Sequence, residues 1–145
     1  MKVSNNFDLY EFIDPETYKH WGDSCIWFID PKIIKVAQLI RDRFNKVVTV
    51  NNWHSGGQYH FSGFRPPECT TGAKLSQHRF GRAADFKIIG LPNYGADEIR
   101  DDIITNFQDY ALAGLTTIED AVFSPTWLHA DVRQTKIATL FIVKP

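Results

Sequence analysis

Along DPKIIKVAQLIRDRFNK, residues 30–46, apolar side chains recur at Ile33, Ala37, Ile40 and Phe44, a spacing that lines one face of an α-helix. Asp30 stands where an N-cap accepts from the first free backbone N–H groups, and Pro31 follows at the helix position that has no use for its own N–H. The pattern then changes. VVTVNNW, 47–53, is a β-branched run suited to a buried strand, and HSGGQYHFSGFRPPE, 54–68, loses all periodicity among paired glycines and prolines. Irregular loops of that kind often carry function. RAADFKII, 82–89, returns to strand character, and ADEIRDDIITNFQDY, 96–110, reads as a second helix with Ile99, Ile103 and Phe107 on one face. LTTIEDAVF, WLHADVR and TKIATLFIVK look like three further strands, divided by turn signals at Ser124-Pro125 and Gln134. Two main helices with about five short strands, the last three adjacent in sequence, predict an α+β fold with a small antiparallel sheet. No repeat, low-complexity segment or linker interrupts the pattern, so residues 1–145 are expected to form a single domain.

Composition narrows the function classes. The 43% hydrophobic and 14% aromatic content of the 145 residues is ample for one packed core. A formal net charge of -1, with no Lys/Arg run beyond two residues, predicts no nucleic-acid partner and no anionic membrane surface. The N-terminal MKVSNNFDLYEF lacks the apolar segment of a secretory signal, and no stretch approaches bilayer-spanning length. Synthesis in the cytoplasm without a signal peptide, and no membrane insertion, are therefore expected. Cys25 and Cys69, 44 positions apart and outside any CxxC pair, are expected to be reduced and not metal ligands.

Strand alternation gives the polar positions a shared face. In RAADFKI, Ala84, Phe86 and Ile88 take the apolar side while Ala83, Asp85 and Lys87 take the other. In WLHADVR, Leu128, Ala130 and Val132 face the core, leaving Trp127, His129, Asp131 and Arg133 opposite. His78, seven residues before Asp85, precedes this first strand. A site holding His78, Asp85 and His129 would combine two imidazoles and a carboxylate, leaving a fourth tetrahedral position open as catalytic zinc requires. Spacing alone favours the ordinary alternative, hydrogen-bonded histidines and a paired carboxylate.

SQHRFGRAAD, with Ser76, His78, Gly81, Ala83 and Asp85, matches every fixed place of the S-x-H-x-x-G-x-A-x-D signature of the zinc D-Ala-D-Ala carboxypeptidase and L-alanyl-D-glutamate endopeptidase family, to which hedgehog signalling domains are structurally related. SGFRPPE resembles that family's S-G-[YF]-R-[SP]-P-E block, and WLHADVR resembles the terminal H-x-D-x-R strand of its phage and prophage branch. NFDLYEF and the helix through Arg41 are similar to the same branch, so the resemblance covers most of the chain. It implies a hedgehog / D-Ala-D-Ala carboxypeptidase-like fold, a Zn2+ cofactor held by His78, Asp85 and His129, and peptidoglycan stem peptides as substrate. It also implies an endolysin-like enzyme that acts at the bacterial cell wall once released; a monomer is expected.

By the same resemblance Arg65 lies beside the metal, where a planar guanidinium can grip a substrate carboxylate with two prongs. Ser76 is expected to bond substrate or orient a ligand, and Gly81 to permit a bend between two ligands. His54 and His60 precede SGFR and are expected to be bystanders.

One position departs from the family. An acidic general base is expected three residues before the last histidine ligand, and Thr126 is there; the hedgehog-type place, six residues before, holds Phe123. Asp131 is the first replacement on geometry, with Glu119 and Asp120 on the preceding strand behind it. An ion pair of Asp131 with Arg133, or a bond that orients a ligand, is the alternative use of that carboxylate. The missing base also leaves a second function class open, a non-catalytic zinc-containing module that binds wall peptides or serves as a phage structural part.

Overall fold

Asp30 caps the long helix as its sequence requires, its carboxylate accepting from the Lys32 N–H at 3.0 Å, and the helix runs Pro31–Phe44 before Asn45 turns left-handed at φ 48°. In the computed structural model, which describes all of residues 1–145, the elements run α1 (Pro15–Trp21), α2 (Pro31–Phe44), β1 (Val48–Thr49), β2 (Ala83–Ile88), α3 (Ala96–Thr105), α4 (Phe107–Ala113), β3 (Thr117–Glu119), β4 (Leu128–Asp131) and β5 (Phe141–Val143). The fold is α+β, and α2 and α3 pack against the sheet. Ile33, Val36, Ala37 and Ile40 from α2 enter one continuous core with Ile99 and Ile103 from α3 and with Ala84, Phe86, Leu128 and Ala130 from the strands.

The expected second helix is two helices. Asn106 leaves helical geometry at φ -117° and ψ 33°, its side chain bonded back to Asp102, and the axis restarts at Phe107. The break rotates the apolar face, so Ile99 and Ile103 are buried as expected but the next core residue is Tyr110; Phe107 is only partly covered. Asp102 also takes two bonds from Arg43 of α2 and one from the Tyr110 hydroxyl, which fixes the three helices to one another.

The sheet order is β1-β2-β4-β3-β5, and it is mixed, not purely antiparallel as the sequence pattern suggests. β2 pairs antiparallel with β1 and β4, and β4 antiparallel with β3, but β5 runs parallel to β3 with Phe141 opposite Thr117. The cause is a filled edge. Both sides of β4 are taken by β2 and β3, so the returning chain, although it reverses direction relative to β4, docks one strand further out.

The loops are pinned by a backbone bond and by the Asn51 side chain. The short turn Leu9–Phe12 contributes the Phe12 carbonyl, which accepts from Phe64 N–H at 2.7 Å, and Asn51 bonds both the Ile13 carbonyl and the Ser62 N–H. The irregular 54–68 segment is thereby fixed at residues 62–65. No helix is long and apolar enough to cross a membrane.

Candidate metal centre

Strand alternation delivers the polar face as the sequence predicts. Ala84, Phe86 and Ile88 of β2, with Leu128, Ala130 and Val132 around β4, enter the core, so Asp85 and His129 emerge together on the other side. They are also directly opposite in the β2–β4 register. His78 arrives from a single 3-10 turn, Gln77–Phe80, that ends at Gly81 with φ 63°. A Cβ at Gly81 would lie 1.7 Å from the Phe28 carbonyl oxygen, so only glycine lets the chain turn from the His78 segment into β2.

Three donor atoms converge. His78 Nε2 is 3.1 Å from His129 Nδ1 and 3.2 Å from Asp85 Oδ1, and His129 Nδ1 is 2.9 Å from the same oxygen. Ligand atoms at roughly 2.0–2.1 Å from a tetrahedral zinc stand on the order of 3.3 Å apart, close to these separations. The far side of each ring is already engaged. His78 Nδ1 donates to the Gly63 carbonyl at 2.7 Å, and His129 Nε2 lies 3.4 Å from Asp131 Oδ2. Those partners place the proton of each neutral ring away from the cluster, so in their neutral forms both inward nitrogens present lone pairs to one another and to a carboxylate. Three lone pairs aimed at one point suit a cation, and the group could bind a metal ion.

The electrostatics of the protein groups agree. Burial pushes the His78 imidazole down, against the pull of Asp85, and favours its neutral, ligating form. His129 is moved the other way: burial opposes its charge, but the flanking carboxylates Asp131 and Asp85 outweigh it and lift the value to about 9. Burial works to raise the Asp85 carboxyl, yet His78 and His129 hold it well below the usual range. Without a metal, one proton on His129 does what a cation would do between these groups.

The SGFR segment ties the site together. The Ser62 carbonyl accepts from Asp85 N–H, the Gly63 carbonyl from His78, and Arg65 N–H donates to the His78 carbonyl. Arg65 sits beside the cluster, but two of its three nitrogens serve the protein: NH2 donates to Asp85 Oδ2 at 2.9 Å and Nε to the Phe61 carbonyl at 2.6 Å. Of the five guanidinium N–H groups these bonds use two, so NH1, toward Gly72, keeps both of its own and NH2 keeps one for a ligand. Ser76 lines the same cleft, a volume of about 490 Å³ that His78, Asp85, His129, Glu119 and Trp127 also line.

Asp131 occupies the second of the two roles open to it. It is fully buried, it takes Arg133 Nε at 2.8 Å and NH2 at 2.5 Å, and it faces the outer nitrogen of His129. The cleft is lined by Glu119 and not by Asp131. Asp120 turns into a loop, accepting from Val122 N–H, with Lys144 at 3.8 Å. His54 packs on the Tyr10 ring and His60 lines an adjoining pocket; neither joins the cluster. Both cysteines are free thiols.

Three contributors escape sequence reasoning. The Gly63 carbonyl that orients His78 has no side chain to betray it. Trp127, which walls both the cleft and the adjoining pocket, reads simply as an aromatic in a strand. Lys87 is buried next to Asp85, donating to Ser62 Oγ and the Asp85 carbonyl beneath the Tyr59 ring, and burial presses its value down to about 8 against the pull of Asp85. Alternation places Lys87 on this face, but nothing local announces that a lysine is enclosed. Comparison with protein-family models, curated proteins and solved structures returns no match.

Proposed function

We propose that the chain is a zinc-dependent peptidase that hydrolyses a peptide bond in bacterial peptidoglycan stem peptides, on a hedgehog / D-Ala-D-Ala carboxypeptidase-like fold. The observation that carries this is the convergence of His78 Nε2, His129 Nδ1 and Asp85 Oδ1 at the floor of an open cleft, with each ring's other nitrogen already committed. The motif resemblance at Ser76, His78, Gly81, Ala83 and Asp85 names the metal and the substrate class. Bound there, zinc would supply a Lewis acid that polarises a carbonyl and activates water near neutral pH. The protein groups then divide the remaining work: Arg65 NH1 holds a substrate carboxylate, Trp127 walls the cleft, and Asp131 fixes the ring of His129.

A specific observation favours a second function class. Thr126 and Phe123 stand where the resembled enzymes carry an acid, which suits a module that binds wall peptides without cleaving them. Mass spectrometry of purified muropeptides incubated with zinc-loaded protein, metal-free protein and His78→Ala separates the two. Cleavage by the zinc-loaded parent alone is the expected result, whereas binding with no bond broken between pH 6 and 8 would reject the peptidase.

A further inference from the structure

We infer that Glu119 is the general base of this site, an assignment that rests on the peptidase function proposed above. The register makes the case. Thr117 pairs with Asp131 and Ile118 with Ala130, so the next position of β3, Glu119, falls opposite His129 on β4. Ile118 and Ala130 are buried in the core, and alternation therefore sends Glu119 to the same side as His129. It is half-buried and lines the cleft with all three cluster residues. Its neighbour Asp120 is spent on a turn and Asp131 on Arg133, but the Glu119 carboxylate has no hydrogen-bond or ion-pair partner. Nor does it belong to the tight donor group of His78, Asp85 and His129. A fourth ligand would sit within that group; a base has to stand off by the width of a water molecule.

The chemistry balances with this residue alone. As the water oxygen's lone pair forms the bond to the scissile carbonyl carbon, one water proton passes to a Glu119 oxygen and the carbonyl π pair moves onto the carbonyl oxygen. That pair then re-forms the double bond, the C–N bond breaks, and Glu119 gives its proton to the departing amine nitrogen. The products are an amine and a carboxylic acid, which releases the second water proton to solvent. Cross-strand placement also accounts for Thr126: the carboxylate comes from the neighbouring strand and not from the segment leading into β4.

The test compares Glu119→Gln, Glu119→Asp and Asp120→Asn with the parent, reading zinc content, muropeptide Kd by calorimetry and turnover by mass spectrometry. For Glu119→Gln the expected result is one zinc per chain and a Kd within about twofold of the parent, with turnover down at least about a hundredfold. Glu119→Asp should recover part of that loss, and Asp120→Asn should match the parent. Parental turnover in Glu119→Gln would overturn the assignment while leaving the peptidase intact. Loss of zinc from Glu119→Gln would make the residue a ligand and overturn the assignment as well. A parent that binds muropeptides but cleaves none would overturn both.

Discussion

Asp131→Asn should weaken metal binding about ten- to a hundredfold and destabilise the metal-free protein if, as proposed, the carboxylate positions His129 and Glu119 is the base. Two donors share it: Arg133 through Nε and NH2, and the outer nitrogen of His129 at 3.4 Å. An asparagine offers one oxygen and one N–H2, so one of those donors must face another donor. If His129 loses its acceptor, its tautomer and ring angle are no longer fixed, and outer partners of that kind are worth about ten- to a hundredfold in metal affinity. If Arg133 loses it, a guanidinium is left beside a fully buried position. The side chain of Arg133 is 28% exposed and can turn toward water, so the cost falls below the 3–5 kcal/mol of a wholly buried broken pair, at about 2 kcal/mol. For a domain of this size that is on the order of 4–8 °C in Tm. Chelator competition at pH 7.5 gives the affinity and calorimetry of the metal-free form gives Tm. At saturating zinc the variant should keep turnover within about tenfold of the parent, unlike Glu119→Gln. Unchanged affinity together with a hundredfold turnover loss would refute the positioning role and return Asp131 to the base.

Arg65→Lys should lower zinc affinity as well as muropeptide affinity, since the side chain holds Asp85 through NH2 while its remaining N–H groups are free for a ligand; a muropeptide effect with zinc affinity untouched, by calorimetry of each, would contradict that double role. The metal-free protein carries a proton on His129 up to about pH 9, a value raised above the ordinary 6.5, so this group's stabilisation is full below 6.5 and fades as pH climbs through 9. Zinc must displace that proton, so calorimetry at pH 7 in buffers of different ionisation enthalpy should count close to one proton released, and the Tm gap between zinc-loaded and metal-free forms should widen from pH 6.5 to 8.5; a constant gap would count against the His129 assignment. Gly81→Ala meets the Phe28 carbonyl and a left-handed backbone at once, and should cost at least about 2 kcal/mol by denaturant titration, where a loss under about 0.5 would show that the turn is not fixed.

What the sequence displays follows from how local each signal is. Helix α2 is legible because cap, proline and periodicity all lie within one segment, and the faces of β2 and β4 because alternation needs no partner. Helix α1 carries the same Asp-Pro signature at Asp14-Pro15, and Asp14 does accept from Thr17 N–H, but none of its residues is buried, so no periodicity marks it. The break at Asn106 depends on Arg43 and Tyr110 meeting Asp102, which is tertiary information. The direction of β5 depends on β3 having already filled the edge of β4. For the site, the convergence of His78, Asp85 and His129 is readable from one motif and one strand, whereas the division of labour among carboxylates is not. Asp131 and Glu119 both alternate toward the ligand face, and only the Arg133 side chain folding back along its own strand decides which of them is engaged.

The central claim is that His78, Asp85 and His129 hold one metal through named atoms, and anomalous diffraction at the zinc absorption edge from crystals of the zinc-loaded protein tests it most directly. One peak is expected, at about 2.0–2.2 Å from His78 Nε2, His129 Nδ1 and an Asp85 oxygen, with Asp131 still against the outer nitrogen of His129 and Glu119 outside direct bonding distance. No peak at the cluster, or a peak bound through His129 Nε2 and Asp131, would contradict the account.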